Sequence, residues 1–420
     1  MAFSLVDVDF LIDNADAIAE VAASGRVALT KKSQIQDAQY LRERFGEHGR
    51  AVHELLGARA TGKLPAHWIV DSDAAQQATP QAVASFRAWE LVESGVRRVI
   101  DVTCSVGTEG GAATEPTLNP GLEYFGFDVD PARVRMARHN VPRGHFALGD
   151  ALQPAFRASR QDDVIIADPA RRAGGRRIAR PEDLVPPLPD LIDAHAGRNM
   201  VIKCAPGLDY SFWDGGVTVT SVRSGGGGHS GDGQAGGGQS TRPGVKEVSL
   251  YTPDLSTARR AVMLAADGGV VDIVTRGGTN GDAGEPGAIT GEPGKFIIDP
   301  DGAIVRAGLV RDYAAREGLW QLDERIAYLS GDRIPEGASG FPFIEAVPVK
   351  KVKSALARLD AGSVEIVVRG LDIDPDAFRK KLKLKGSTRR AVVLTRIGKA
   401  GVGLICDRRV WDYDEPVSSN

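Results

Sequence analysis

Val99-Ile100-Asp101-Val102-Thr103-Cys104-Ser105-Val106-Gly107-Thr108-Glu109-Gly110-Gly111 is the stretch on which the fold turns. An apolar, β-branched run ends in an acid, passes through small residues and arrives at glycines. A buried parallel strand hands over in this way to a loop that cradles a nucleotide-like ligand. Taken alone, such a turn serves structure about as often as binding. The regular spacing of the segments after it decides between the two. Short apolar runs recur at residues 122–127, 145–148, 164–167 and 200–204, each followed within a few positions by Asp, Gly or Pro. Amphipathic stretches separate them, such as 131–140, with Val134 and Ala137 on one face and Arg133, Arg135 and Arg138 on another. Alternating strands and helices predict a parallel sheet with right-handed crossovers, whose ligands bind beyond the carboxyl ends of the strands.

Upstream, residues 1–95 read as a helical region. Apolar residues recur at spacings of three and four through Phe10, Leu11, Ile18 and Val21, and again through Ile35, Leu41, Phe45 and Val52. Thr79-Pro80 marks a start, with an N-cap followed by proline at the first helical position. Downstream, residues 96–276 make one α/β domain. A low-complexity Gly-rich insertion at 224–244, between strands at 217–222 and 246–251, buries too little surface to order itself. A strand at 270–274 closes the domain, and the Gly/Pro-rich stretch 277–294 is the expected linker. Residues 295–415 read as a small α+β domain. It opens on Phe296-Ile297-Ile298, has one helix through Ile304, Leu309, Val310 and Tyr313, then helices at 352–359 and 375–382, and strands at 363–368, 391–396 and 401–407.

A chain of 420 residues has room for about two or three domains, each with its own core. A net charge of −3 means that any nucleic-acid contact rests on local patches. One patch exists: basic residues outnumber acids by more than two to one between Pro348 and Arg409, with Lys380, Lys381 and Lys383 bunched together. A solvated helix end is the competing account of that run. The three cysteines, Cys104, Cys204 and Cys406, form no CxxC pair, and the histidines lack metal-ligand spacing. Neither a disulfide framework nor a metal site is expected. With no basic leader and no apolar run long enough to span a bilayer, the expectation is a soluble, cytoplasmic protein with no membrane partner.

Four acids fall at four successive strand ends: Asp101, Asp128, Asp150 and Asp168. Asp128 stands roughly twenty residues beyond the glycines, where an acid can accept both hydroxyls of a ribose. Asp150 could receive an exocyclic adenine amine. A single acid at a strand end is usually a turn former or helix cap, but four in register point to a site.

These residues resemble class I S-adenosylmethionine-dependent methyltransferases, and among them the bacterial proteins with a C-terminal THUMP-like domain. The resemblance rests on Asp101 to Thr108, on Gly126-Phe127-Asp128-Val129-Asp130-Pro131 with Ala137-Arg138-His139-Asn140, and on Asp168-Pro169-Ala170-Arg171-Arg172. It continues in Lys203-Cys204-Ala205-Pro206-Gly207, Ala307-Gly308-Leu309, Ile326-Ala327-Tyr328-Leu329 and Lys381-Leu382-Lys383-Leu384-Lys385-Gly386, and so covers nearly the whole chain. It implies a Rossmann-like domain with a mostly parallel seven-stranded sheet and S-adenosyl-L-methionine as cofactor. Asp101, Thr103, Cys104, Ser105, Gly107, Asp128 and Asp150 would bind that cofactor.

Three departures stand out. Thr103 and Ser105 occupy places where methyltransferases commonly carry glycine, so side chains meet the methionine moiety. The following helix is interrupted by Gly110, Gly111 and Pro116. Asp168-Pro169-Ala170-Arg171 looks like the Asp-Pro-Pro-Tyr signature of amino-group methyltransferases without its aromatic residue. The implied chemistry is methylation of a base amino nitrogen in tRNA or rRNA. Asp168 and a backbone carbonyl of the Pro169-Ala170 turn would accept the two N–H groups and localise the nitrogen lone pair. Tyr210 and Trp213 are then the candidate stacking residues. Arg171, Arg172, Lys380, Lys381 and Lys383 are the candidate phosphate contacts. A methyltransferase-fold protein that binds RNA with weak or no catalysis is the alternative, as is a methyltransferase acting on a small molecule or protein.

Overall fold

The computed structural model describes residues 3–119, 121–153, 162–170, 172–173, 176–177, 180–223, 244–277 and 285–412. Arg171 and nearly all of the Gly-rich insertion lie outside the described residues. Two compact units form. The first takes Met1–Arg242, Lys246–Thr257 and Leu264–Gly269, and the second Pro243–Val245, Ala258–Met263 and Val270–Asn420.

The first unit begins with six helices: α1 (Leu5–Asp13), α2 (Ala15–Ala23), α3 (Gln34–Phe45), α4 (Gly49–Ala60), α5 (Ser72–Gln77) and α6 (Gln81–Glu93). Ser4 caps α1 in a capping box with Asp7, and Asp71 caps α5. Pro80 itself takes the N-cap place of α6, one position later than Thr79-Pro80 suggests. Helix and strand then alternate through β1 (Arg98–Asp101), α7 (Thr108–Ala113), β2 (Glu123–Asp128), α8 (Pro131–Asn140), β3 (His145–Leu148) and β4 (Asp163–Ala167). The two-residue strands β5 (Arg172–Ala173) and β6 (Arg176–Arg177) pair with each other. After them come α9 (Leu188–Ala194), β7 (Met200–Cys204), β8 (Gly216–Val222) and β9 (Gly244–Tyr251).

These strands lie in the order β8-β9-β7-β4-β1-β2-β3. Five of them, from β3 across to β7, run parallel, whereas β9 runs antiparallel to β7, so the sheet is mixed. The chain winds from β1 outward through β2 and β3, then returns to β4 on the other side of β1. That reversal opens a crevice at the carboxyl ends of β1 and β4, where ligands of such sheets bind.

Helix α7 owes its glycines to packing. A Cβ on Gly110 would come within 2.7 Å of the Tyr124 ring, and one on Gly111 within 2.9 Å of Trp68. The residues that interrupt the helix in sequence therefore let it lie against β2 and against the chain that precedes α5. Asn140, at the end of α8, ties the same chain to the loop after β1: its side chain accepts from Ile69 N (2.8 Å) and donates to Ile69 O (3.1 Å) and Val106 O (3.0 Å). One apolar core runs from Phe3 and Leu11 through Val99 and Tyr124 to Tyr251.

The second unit contains β10 (Arg259–Leu264), β11 (Val270–Arg276), β12 (Phe296–Ile298), α10 (Gly302–Ala307), α11 (Val310–Glu317), β13 (Trp320–Asp323), β14 (Ile326–Gly331) and β15 (Ser339–Pro348). It continues with α12 (Val352–Arg358), β16 (Ala361–Val368), α13 (Pro375–Leu382), β17 (Thr388–Ile397), β18 (Ala400–Asp407) and β19 (Val410–Trp411). An eight-stranded sheet has the order β13-β14-β12-β15-β18-β17-β16, with β19 paired to β15. The single helix expected through Ile304 and Tyr313 is two, because Gly308 takes a left-handed conformation (φ 71°) and ends α10. Residues 289–294 lie along β13, with Gln321 N donating to Ile289 O at 2.8 Å and Gly291 N to Gln321 O at 3.1 Å. Among the described residues no helix is long and apolar enough to cross a membrane.

Candidate active site

A cavity of about 950 Å³ opens at the carboxyl ends of β1, β2, β4 and β7. Asp101, Thr103, Cys104, Ser105, Asp128 and Asp150 line it, as do Asp168, Pro169 and Ala170. Sequence reasoning thus brought nine of its chosen residues to one place. Gly107 is not among the lining residues. It holds a left-handed turn (φ 90°) before α7, and a Cβ there would meet Val141 at 3.0 Å. Tyr210 is buried away from the cavity lining, and Trp213 donates its indole N–H to Tyr251 O at 2.9 Å. Lys380, Lys381 and Lys383 lie exposed at the end of α13 in the second unit.

The acids shape the loops before they meet any ligand. Asp101 accepts Thr103 N–H at 3.0 Å and the Tyr124 hydroxyl at 2.7 Å. Asp128 accepts Ser105 N–H and Asp130 N–H, each at 3.0 Å. The two side chains found in place of glycine are also used. Thr103 Oγ1 accepts Asp168 N–H at 2.6 Å, joining the first loop to the fourth strand end. Ser105, at φ 49°, accepts from Arg133 Nη1 at 3.1 Å, and Arg133 faces Asp71 of the α5 cap at 3.5 Å.

Burial raises the Asp101 carboxyl to about 7, against the opposing pull of the Tyr124 and Thr103 hydrogen bonds. Burial also raises Asp128. Cys104 is pushed well above its usual range by burial and by Asp101 and Asp128, so it stays a thiol and offers no nucleophile. A carboxyl raised in the folded state contributes stability that is full below its unfolded value of 3.8 and lost as pH climbs through about 7. The loss is on the order of 4 kcal/mol. Asp101→Asn is expected to flatten the fall in unfolding free energy between pH 4 and 7, measured by urea titration across that range. An unchanged slope would place the pH dependence elsewhere.

Sequence reasoning missed a cluster in the cavity wall itself, where Glu109, Lys203 and Glu247 are lining residues and Arg87 stands behind them. Lys203 Nζ sits 2.7 Å from Asp168 Oδ2, 3.0 Å from Glu109 Oε1 and 3.9 Å from Glu247 Oε2. Arg87 Nε donates to Glu109 Oε2 at 3.3 Å and Nη1 to Glu247 Oε1 at 2.8 Å. Burial opposes both cations, but Glu109 and Glu247 hold Arg87 above its ordinary value, and Asp168, Glu109 and Glu247 do so for Lys203. Burial would raise Glu109, yet Arg87 and Lys203 bring it below the usual carboxylate range. One signal was available: a lysine inside the apolar strand 200–204 must be matched by buried acids.

The donor set suits S-adenosylmethionine. The acids Asp101, Asp128, Asp150 and Asp168 line a cavity that would hold a sulfonium and an ammonium, both cationic. Asp128 can accept ribose hydroxyls, and the apolar Val129 and Leu152 can flank a flat adenine. Val129 is 69% exposed although it lines the cavity, which leaves its apolar surface for a ligand.

Comparison with known proteins agrees. The THUMP domain-like family matches residues 338–408, which span β15 to β18. A Mycobacterium tuberculosis protein, described in strains CDC 1551 and H37Rv as an uncharacterized S-adenosylmethionine-dependent methyltransferase, is 41% identical over 383 residues, covering 85% of this chain and 96% of that one. A crystal structure of a candidate methyltransferase from Porphyromonas gingivalis W83 shares the fold at a TM-score of 0.62 and 16% identity, covering 91% of this chain and 98% of the other. With such a relative matched over almost its full length, the chain belongs to the S-adenosylmethionine-dependent methyltransferases and carries a THUMP-like domain at its C-terminus.

Proposed function

We propose that this enzyme methylates a base amino nitrogen in tRNA or rRNA, with residues 96–276 supplying the chemistry and 295–415 the grip on RNA. The observation that carries the reading is Asp168 at the cavity rim, ion-paired to Lys203 and followed by the Pro169-Ala170 turn. S-adenosylmethionine supplies an activated methyl on a sulfonium, so the protein's part is alignment. An exocyclic amino nitrogen is a weak nucleophile because its lone pair is delocalised into the ring. Asp168 accepts one of its N–H groups. Ala170 O already accepts Val185 N–H at 3.3 Å, which leaves the Pro169 carbonyl as the turn acceptor for the other. With both N–H groups held, the lone pair is directed out of the ring plane, and Asp168 can take the proton that the methylated nitrogen sheds.

The THUMP-like match and the exposed basic run at the end of α13 support RNA as the substrate. Because no aromatic ring lines the cavity among the described residues, the base is held by its edge and by apolar side chains rather than by a ring stack. The test begins with calorimetry of S-adenosylmethionine binding, with Asp128→Ala weakening it by about 10–100-fold through loss of a charged acceptor. Labelled methyl transfer into total RNA, protein and metabolite fractions comes next. Label in RNA is expected, and label confined to protein or metabolites would overturn the substrate class. Lys380→Glu, Lys381→Glu and Lys383→Glu together should weaken tRNA binding and lower its salt slope by about 2–3. An unchanged slope would make the run merely solvated.

A further inference from the structure

We infer that Lys203 is the positioning residue for Asp168, and that Arg87, delivered by the N-terminal helix α6, locks Lys203's other partners. The inference rests on the reading that Asp168 meets the substrate.

The geometry is a square with a branch. Each of two buried glutamates is divided between the two cations. Glu109 gives Oε2 to Arg87 and Oε1 to Lys203, and Glu247 gives Oε1 to Arg87 and turns Oε2 toward Lys203. Ser249 completes one corner by donating to Glu247 Oε1 at 2.9 Å. Two cations and two acids balance, so the square satisfies its own charge. Asp168 is a third acid, joined at Lys203, and its side chain is 26% exposed where the other four are almost fully buried. Burial therefore does not demand that link, and an apolar replacement of the square would be about as stable. What the link does supply is an ammonium fixed from behind, which orients one Asp168 oxygen and favours its charged form. The backbone of Asp168 is held independently, by its N–H on Thr103 Oγ1. The carboxylate thus has a fixed origin and a fixed direction, as an acceptor of a substrate N–H requires.

Arg87 is not a cavity-lining residue and acts only through the glutamates. Among the described residues, Arg87 from α6, Asp101 from the end of β1, Glu109 from α7 and Glu247 from β9 are charged groups that face the Lys203–Asp168 pair.

The experiment compares the full chain with Lys203→Met, Lys203→Arg and Asp168→Asn. It reads the S-adenosylmethionine dissociation constant by calorimetry, the melting temperature, and the pH profile of labelled methyl transfer into the fraction that accepts label. Lys203→Met is expected to bind the cofactor within about threefold of wild type, lose about 10–100-fold in turnover, and move the acid limb of its profile upward by about one pH unit. Lys203→Arg should restore the limb most of the way. A merely structural lysine would lower the melting temperature and leave the limb where it was, which would overturn the inference. If Lys203→Met does not fold, Arg87→Lys keeps a cation in α6 but withdraws the forked contact. A raised limb at unchanged cofactor affinity supports the inference, and an unmoved limb overturns it. Full activity in Asp168→Asn overturns both this and the reading it rests on. Loss in Asp168→Asn with an unshifted Lys203→Met profile overturns the positioning role alone.

Discussion

Asp168→Ala is expected to lower methyl transfer by about 10²–10⁴-fold while the chain still binds S-adenosylmethionine. The size follows from the two tasks that the proposed mechanism asks of one carboxylate, holding the nucleophile's N–H and taking up its proton. The sparing of cofactor affinity follows from position. Asp128 and Asp150 stand at the ends of β2 and β3, on the other side of β1 from Asp168 at the end of β4. The backbone N–H of Asp168 still reaches Thr103 in the alanine variant, so the cofactor loop keeps its tether. Asp168→Asn separates the tasks, because an amide oxygen can hold an N–H but cannot take a proton at neutral pH. Single-turnover labelling beside calorimetry checks both variants. Undiminished labelling in Asp168→Ala would remove the residue from the chemistry, and loss of cofactor binding would make it part of the cofactor site instead.

Arg87→Met is expected to cost about 3–5 kcal/mol of stability. Methionine keeps the length and apolar stem of arginine but leaves Lys203 as the one cation of the square for Glu247 and Glu109, with both acids buried. An unpaired buried charge is far more costly than the pair was worth, so the loss reflects the carboxylates left behind more than the guanidinium removed. For a unit of this size the melting temperature should fall by roughly 6–20 °C. Arg87→Met combined with Glu247→Gln should recover much of that, since the second change removes the stranded charge. Urea denaturation of the single and double variants decides it. A loss below about 1 kcal/mol in Arg87→Met would mean that water or a shift of Lys203 compensates, and the square would not be the rigid support inferred above.

The α/β core is legible because parallel strands leave near-continuous apolar runs, and because β1, β2, β3 and β4 end at or within two residues of an acid while β7 runs into the Ala205-Pro206-Gly207 turn. The run 200–204 coincides to the residue with β7, which is buried throughout, and 145–148 with β3, an edge strand in which only Phe146 is buried. The second unit is less legible. Its strands β13 and β14 are short of the alternation that marks a strand, being buried or half-buried throughout, and β15 mixes exposed with buried positions and carries Gly340 and Pro342, which read as loop. Gly308 is visible in the sequence, but its positive φ, which splits one expected helix into two, depends on how α11 turns back. Within the site, the residues at strand ends are legible and those behind them are not. Arg87 and Glu247 stand 160 positions apart, and nothing local in either segment names the other. Glu109 lies inside the opening stretch and Lys203 inside a motif, yet only the packing of α6, α7, β7 and β9 shows that they share one charge balance.

That 160-residue separation has a consequence during synthesis. At about 5–20 residues per second, Glu247 leaves the ribosome some 8–32 seconds after Arg87. Throughout that interval Arg87 has no Glu247 to close the square. The support of Asp168 is completed by one of the last strands of the unit to be made. A nascent or prematurely ended chain that stops before β9 therefore carries the loop after β1 and Asp168 without Glu247, and with Asp168 in the proposed role methyl transfer becomes available only once the unit is whole.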